Sequence, residues 1–216
     1  MPLVLLFALF FIIALFSACK KQLDYFSYVS ELRSNILLAQ TDEYLLTVYA
    51  VEKEYPYAAD GVKRETSKRT EIRLLAPSGD KTYEIAFCVD NKNYGGEMSY
   101  DNVRAEYYFS CSVDVSNLDA LDCKLIFKEN TLDFHAKSVL TNDTLSPQEI
   151  VEKVRLQESE LFTSLTDKYG FAGEIYVRVL YEDFPYFYVG IIDKNGQISA
   201  FLVNGETGKI LAKRQG

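Results

Sequence analysis

Short apolar runs broken by turn residues recur from residue 35 to residue 139, and that punctuation restricts this part of the chain to a body of short antiparallel strands. Residues 35–40 (NILLAQ) and 44–54 (YLLTVYAVEKE) flank the turn Thr41-Asp42-Glu43 and read as a hairpin. Runs at 69–76 and 81–89 flank Pro77-Ser78-Gly79-Asp80, where proline presets one dihedral and glycine permits positive φ at the next. Further runs occupy 103–114, 122–128 and 131–139, while 55–68 and 90–101 are polar and glycine-bearing and read as loops. Ile36, Leu37 and Leu38 do not alternate with polar residues, so a helix across 25–38 is the competing reading of the first run.

Seven or so strands over about 110 residues are expected to form an antiparallel β-sandwich across residues 28–140, with an immunoglobulin-like order as the most economical topology and a barrel as the alternative. Strand alternation puts Cys111 on the face of Tyr107, Phe109 and Val113, and Cys123 on the face of Leu125 and Phe127, both inward. Cys88 falls opposite Phe87, on the side of Glu84 and Ala86. Buried thiols acting as small apolar side chains are the expected state, with Cys111 to Cys123 the pair if a bridge forms. No spacing among them is of the zinc-ligand kind, and neither a metal nor a cofactor is expected.

A second unit is expected over residues 145–216, giving a mainly β fold with a small α+β part. Ser146-Pro147-Gln148-Glu149 is a capping box with proline at the first helical position. Ile150, Val154, Leu161 and Leu165 then recur at helical spacing, and Gly170 is expected to end the helix. Three strands follow, at 174–182, 186–193 and 197–204, and a final segment at 209–213, so that a helix covers one face of an antiparallel meander. Asn195-Gly196 fits a type I′ hairpin. This end, with its YVGIIDKNGQISAFLVNGETGKIL run, resembles the PepSY family, although that family usually has Asp where this chain has Asn204. The resemblance implies a binding or peptidase-inhibiting role and brings no catalytic residues.

The N-terminus fixes the expected compartment. Leu3 to Phe16 is fourteen apolar residues, too short for a spanning helix of about 20. Small residues and Cys19 follow it. Phe16-Ser17-Ala18-Cys19 resembles a bacterial lipoprotein signal, departing from it in Phe16 and in lacking Lys or Arg before the apolar run. The resemblance implies a signal peptide over residues 1–18, lipidation of Cys19, a tether over 19–27 and a position on the extracytoplasmic face of the cell membrane. Two acyl tails make a stable anchor where one binds marginally.

A net charge of -8 disfavours nucleic acid as a partner. The only histidine is His135, which reads as structural or surface-exposed, and nothing in the spacing of the carboxylates selects a catalytic pair. No catalytic residue is therefore expected. Tyr55 and Tyr57, near Lys63, Arg64, Lys68 and Arg69, and Tyr94 and Tyr100 in the second loop form the expected recognition surface, because tyrosine offers large contact area at small entropic cost. The expectation is a non-enzymatic, lipid-anchored module of the cell envelope that binds an envelope protein or peptide. Its alternatives are a regulator of a secreted peptidase, a carbohydrate-binding sandwich and a hydrolase with an unrecognised site.

Overall fold

The computed structural model describes residues 23–54, 60–77 and 81–215, so Cys19, Tyr55 and Tyr57 lie outside the described residues. The first half carries β1 (Val29–Gln40), β2 (Leu45–Glu54), β3 (Thr66–Leu75), β4 (Glu84–Val89), β5 (Lys92–Glu97), β6 (Ser99–Asp101), β7 (Glu106–Cys111), β8 (Ala120–Phe127) and β9 (Asn130–Ser138). The second carries α1 (Pro147–Gln157), α2 (Ser159–Ser164), the two-residue strands β10 (Thr166–Asp167) and β11 (Gly170–Phe171), and then β12 (Gly173–Tyr181), β13 (Pro185–Asp193), β14 (Ile198–Asn204) and β15 (Ile210–Gln215). The fold is mainly antiparallel β with two small helices, as the punctuation requires.

The competing helix does not form, and the reason lies in how β1 is used. One edge of β1 pairs with β2 from Glu31↔Lys53 to Gln40↔Leu45. The other edge forks: its N-terminal half runs parallel to β12, while Leu37 and Leu38 pair antiparallel with β9. Ile36 packs into one core and Leu37 into another, so the strand is apolar on both faces and shows no alternation. The register shifts between Arg33 and Asn35, as a bulge does when it bends a strand. Asn35 is buried at the fork, where its Nδ2 donates to the carbonyls of Leu118 (3.0 Å) and Ser116 (3.3 Å). Its Oδ1 accepts from Ser138 Oγ at 2.8 Å.

From β1 the sheet continues through β2, β3, β7 and β6 on one side and through β9, β8, β4 and β5 on the other. It curls until Phe87 of β4 and Phe109 of β7 bring their ring centroids within 6.5 Å, a sandwich-like body whose inside is filled by Leu37, Leu46, Val48, Ile72, Leu74, Ile85, Leu125 and a network of Tyr44, Tyr83, Phe127 and Phe134 rings. The second core lies between α1, α2 and the strands β12 to β14, with Ile150, Val154, Ile175, Val177, Phe187, Val189 and Phe201 at its centre. A 3-10 turn at Tyr25–Tyr28 closes it: the Tyr25 ring sits edge-on to Phe162 and Phe171 at 4.9 and 5.5 Å, and Tyr28 Oη accepts from the Phe171 amide at 3.3 Å.

Three local expectations are corrected. Residues 92–97 are strand β5 rather than loop, because Asp90 and Asn91 take φ of 49° and 61° and make the two-residue turn that returns the chain beside β4. At Asp193 to Gln197 the turn is not type I′: Gly196 alone adopts positive φ (78°), and its amide donates to the Asp193 carbonyl at 3.0 Å, the pattern of a type I turn with a glycine bulge. The helix does not run to Gly170. It breaks at Glu158 (φ -118°, ψ 42°) and α2 ends at Ser164, after which Thr166 to Phe171 form a minute hairpin. The capping box is present, with Glu149 Oε2 accepting from the Ser146 amide at 2.8 Å.

Candidate functional site

The outer face of β5, β4, β8 and β9 carries a groove of about 620 Å³. Its position follows from parity: Phe87, Cys123 and Phe134 point into the body, so their neighbours point out. The register sets Gly95, Ala86, Lys124 and Asp133 side by side across four strands. Beside that row, Cys88 lies opposite Asn93, and Asp122 opposite His135. Small residues on β4 and β5 make the dip, and long polar ones wall it. Gly95 is required there, since at φ +154° a Cβ would come within 2.2 Å of the Ile85 carbonyl oxygen.

The walls are well suited to recognition. His135 Nδ1 lies 2.6 Å from Asp122 Oδ1, which orients the ring while leaving it exposed. Asp133 and Lys124 place opposite charges opposite each other. Tyr94, the cross-strand partner of Phe87, turns inward with it, the two rings stacked with centroids 5.7 Å apart at 22°, so the outward walls are polar. The cysteines divide as parity predicts. Cys88 is exposed at the groove, Cys123 is buried, Cys111 is intermediate, and all three are free. Burial pushes the Cys123 thiol up to about 12, helped by the adjacent Asp122 carboxylate, and burial also raises Cys111. Both shifts disfavour the nucleophilic thiolate. Among the described residues no group of three or more His, Cys, Asp or Glu is arranged to hold a metal.

Of the expected recognition residues, Tyr94 borders the groove but turns its ring inward onto Phe87, and Tyr100 of β6 packs against Tyr107 at 4.8 Å. The basic residues expected beside Tyr55 and Tyr57 are engaged elsewhere. Lys63 Nζ donates to the Ser27 carbonyl at 2.7 Å, Arg64 pairs with Asp60, and Lys68 pairs with Asp114 at 2.7 Å. Sequence reasoning missed Cys88, Asn93, Asp122, Lys124, Asp133 and His135 as a set. The signal that would have found them is the Asp90-Asn91 turn, which fixes the register bringing β5 beside β4.

A buried acid pair marks the junction of the two halves. Glu54 and Glu174 are 1% and 0% exposed. Glu54 accepts from the Arg64 amide, and its other oxygen lies 3.6 Å from the Arg64 guanidinium. Glu174 Oε1 accepts from Tyr176 Oη at 3.0 Å and from the Gly61 amide at 3.4 Å. Burial pushes the Glu174 carboxyl above the usual carboxylate range, with the charges of Glu54 and Asp60 adding to the effect. Compared with family models, with curated proteins and with solved structures, the chain matches none.

Proposed function

We propose that this chain is a lipid-anchored extracytoplasmic module of the cell envelope, held to the membrane through Cys19 and binding an envelope protein or peptide without catalysing a reaction on it. The observation that carries the binding reading is the groove on β4, β5, β8 and β9, where donors, acceptors and both signs of charge are mounted on four paired strands. Rigid strands hold such groups in place at little entropic cost on binding. The anchor reading rests on the Phe16-Ser17-Ala18-Cys19 leader.

The test is site-specific photo-crosslinking in intact cells from Asn93 and from His135, with Val103, 95% exposed on the turn between β6 and β7 and absent from the groove lining, as the control. A defined adduct from both groove positions and none from Val103 supports the reading, and an identical pattern from all three overturns it. Mass spectrometry of the mature N-terminus tests the anchor separately: a diacylated Cys19 is expected, and Cys19→Ala should release the protein from membranes.

A second reading, regulation of a secreted peptidase by the PepSY-like end, is favoured by β15, which among the described residues has a strand partner on one side only. A free edge can accept an extended segment as an added strand. Purified full-length chain that leaves envelope peptidase activity unchanged would remove it.

A further inference from the structure

On the opposite side of the body, the sheet formed by β13, β12, β1, β2 and β3 carries a line of cations. The registers Arg178↔Tyr188, Arg33↔Arg178, Arg33↔Val51 and Val51↔Arg69 place Tyr188, Arg178, Arg33, Val51 and Arg69 in one row across five strands. Arg73 lies on the same face of β3, four pairs along from Arg69. Like charges set directly opposite each other destabilise a sheet, and Arg33 and Arg178 are such a pair. The acids of this face are already committed. Glu31 chelates Arg178 at 2.5 and 2.8 Å, Glu71 takes Lys53 at 2.6 Å, and Glu106 takes Arg73 at 2.6 Å. Arg33 receives none of them: its guanidinium lies 4.2 Å over the Tyr49 ring, shared with Arg73 at 5.5 Å. The Nε groups of Arg33, Arg69 and Arg73 are buried without a hydrogen-bond acceptor. Burial and the neighbouring Arg178 and Arg73 charges hold the Arg33 pKa below its ordinary value.

Proteins keep local conflicts of this kind at functional sites and offset them elsewhere in the fold. We propose that this row is a binding site for an elongated ligand bearing repeated oxyanions, with Arg33 at its centre and Tyr49, Val51 and Tyr188 as its floor. Guanidinium groups present several donors in a fixed fork that suits phosphate and carboxylate oxygens. The row spans about 19 Å at the usual strand spacing, room for several anionic groups. A net charge of -8 on the whole chain disfavours diffuse attraction of a polyanion, so binding would depend on this row.

The experiment is thermal unfolding of the full-length chain in sodium tripolyphosphate, in poly-glutamate and in sodium chloride at matched ionic strength. Tripolyphosphate is expected to raise Tm by several degrees over chloride, and comparison with poly-glutamate tells phosphate from carboxylate as the preferred group. Arg33→Met should abolish the shift while leaving Tm in chloride unchanged or higher, because removing Arg33 relieves repulsion. A structural role predicts the reverse, a lower Tm in chloride with the shift retained. Arg69→Gln, at the end of the row, should reduce the shift without touching the Arg33 stack. No shift over chloride with either polyanion, or an undiminished shift in Arg33→Met, overturns the proposal.

Discussion

The two cores of this molecule are filled by different means. The curled body is filled by leucines (Leu37, Leu46, Leu74, Leu121 and Leu125), by valine and isoleucine, and by a ring network in which Tyr44, Tyr83, Tyr107 and Phe127 meet edge-on or tilted at centroid distances of 4.7 to 6.2 Å. The helix-covered end is filled mostly by β-branched side chains, Ile175, Val177, Val179, Val189, Ile191 and Val203. The difference lies in the aliphatic filling, since among the described residues the helix-covered core has no fully buried leucine, while aromatic rings serve both, Phe162, Phe171, Phe187 and Phe201 among them. The cores are nevertheless not independent, because β1 contributes Leu37 to the first and Val29 and Ile36 to the second.

The most severe way to break this comparison is Leu37→Ala, at a position with no exposure. A cost of about 2–5 kcal/mol is expected from lost transfer energy and the cavity left behind. Denaturant unfolding followed separately by exposure of the Cys123 thiol in the body and by helical dichroism of the end should lose stability in both together. Two separated transitions would show that β1 does not couple the halves.

Asn35→Ala comes next. It removes the donor to the Ser116 and Leu118 carbonyls and the acceptor of the Ser138 hydroxyl proton, and about 2–3 kcal/mol should be lost, again from both halves. Ser146→Ala, which removes the helix cap, should cost about 1 kcal/mol and be felt first in the helix-covered end.

Glu174→Gln sharpens the comparison by pH. A carboxyl whose pKa is raised in the folded state favours folding fully below its unfolded pKa, and that contribution is lost as pH rises through the folded pKa. The variant should therefore have a higher Tm than the parent at pH 7 to 8, with the difference vanishing in acid. The smallest effect is chemical: at pH 8 in the native state Cys88 should alkylate first and Cys123 only on unfolding, as mass spectrometry of timed samples would show.

How much of this was legible in the sequence depended on whether local rules were left to act alone. The capping box, the Thr41 to Glu43 turn and the inward placement of Cys111 and Cys123 are local or depend on simple alternation, and each is present. β5 was hidden because Lys92-Asn93-Tyr94-Gly95-Gly96-Glu97 has poor strand propensity and is held by its register with β4, which propensity does not encode. The helix break at Glu158 was hidden because apolar spacing continues through Leu161 and Leu165. The groove and the arginine row were hidden for the same reason: each is assembled across strands far apart in the chain, and only pairing registers bring those residues together.

The placement of β1 also decides how the molecule would answer a pull from its N-terminus. Tension entering at Tyr25 reaches a ring clasp on Phe162 and Phe171, then a strand bonded along both edges, parallel to β12 on one and antiparallel to β2 on the other. Hydrogen bonds lying across the direction of drag are loaded in shear and must yield as a group. A leash fastened there would tug on both halves at once instead of peeling either away.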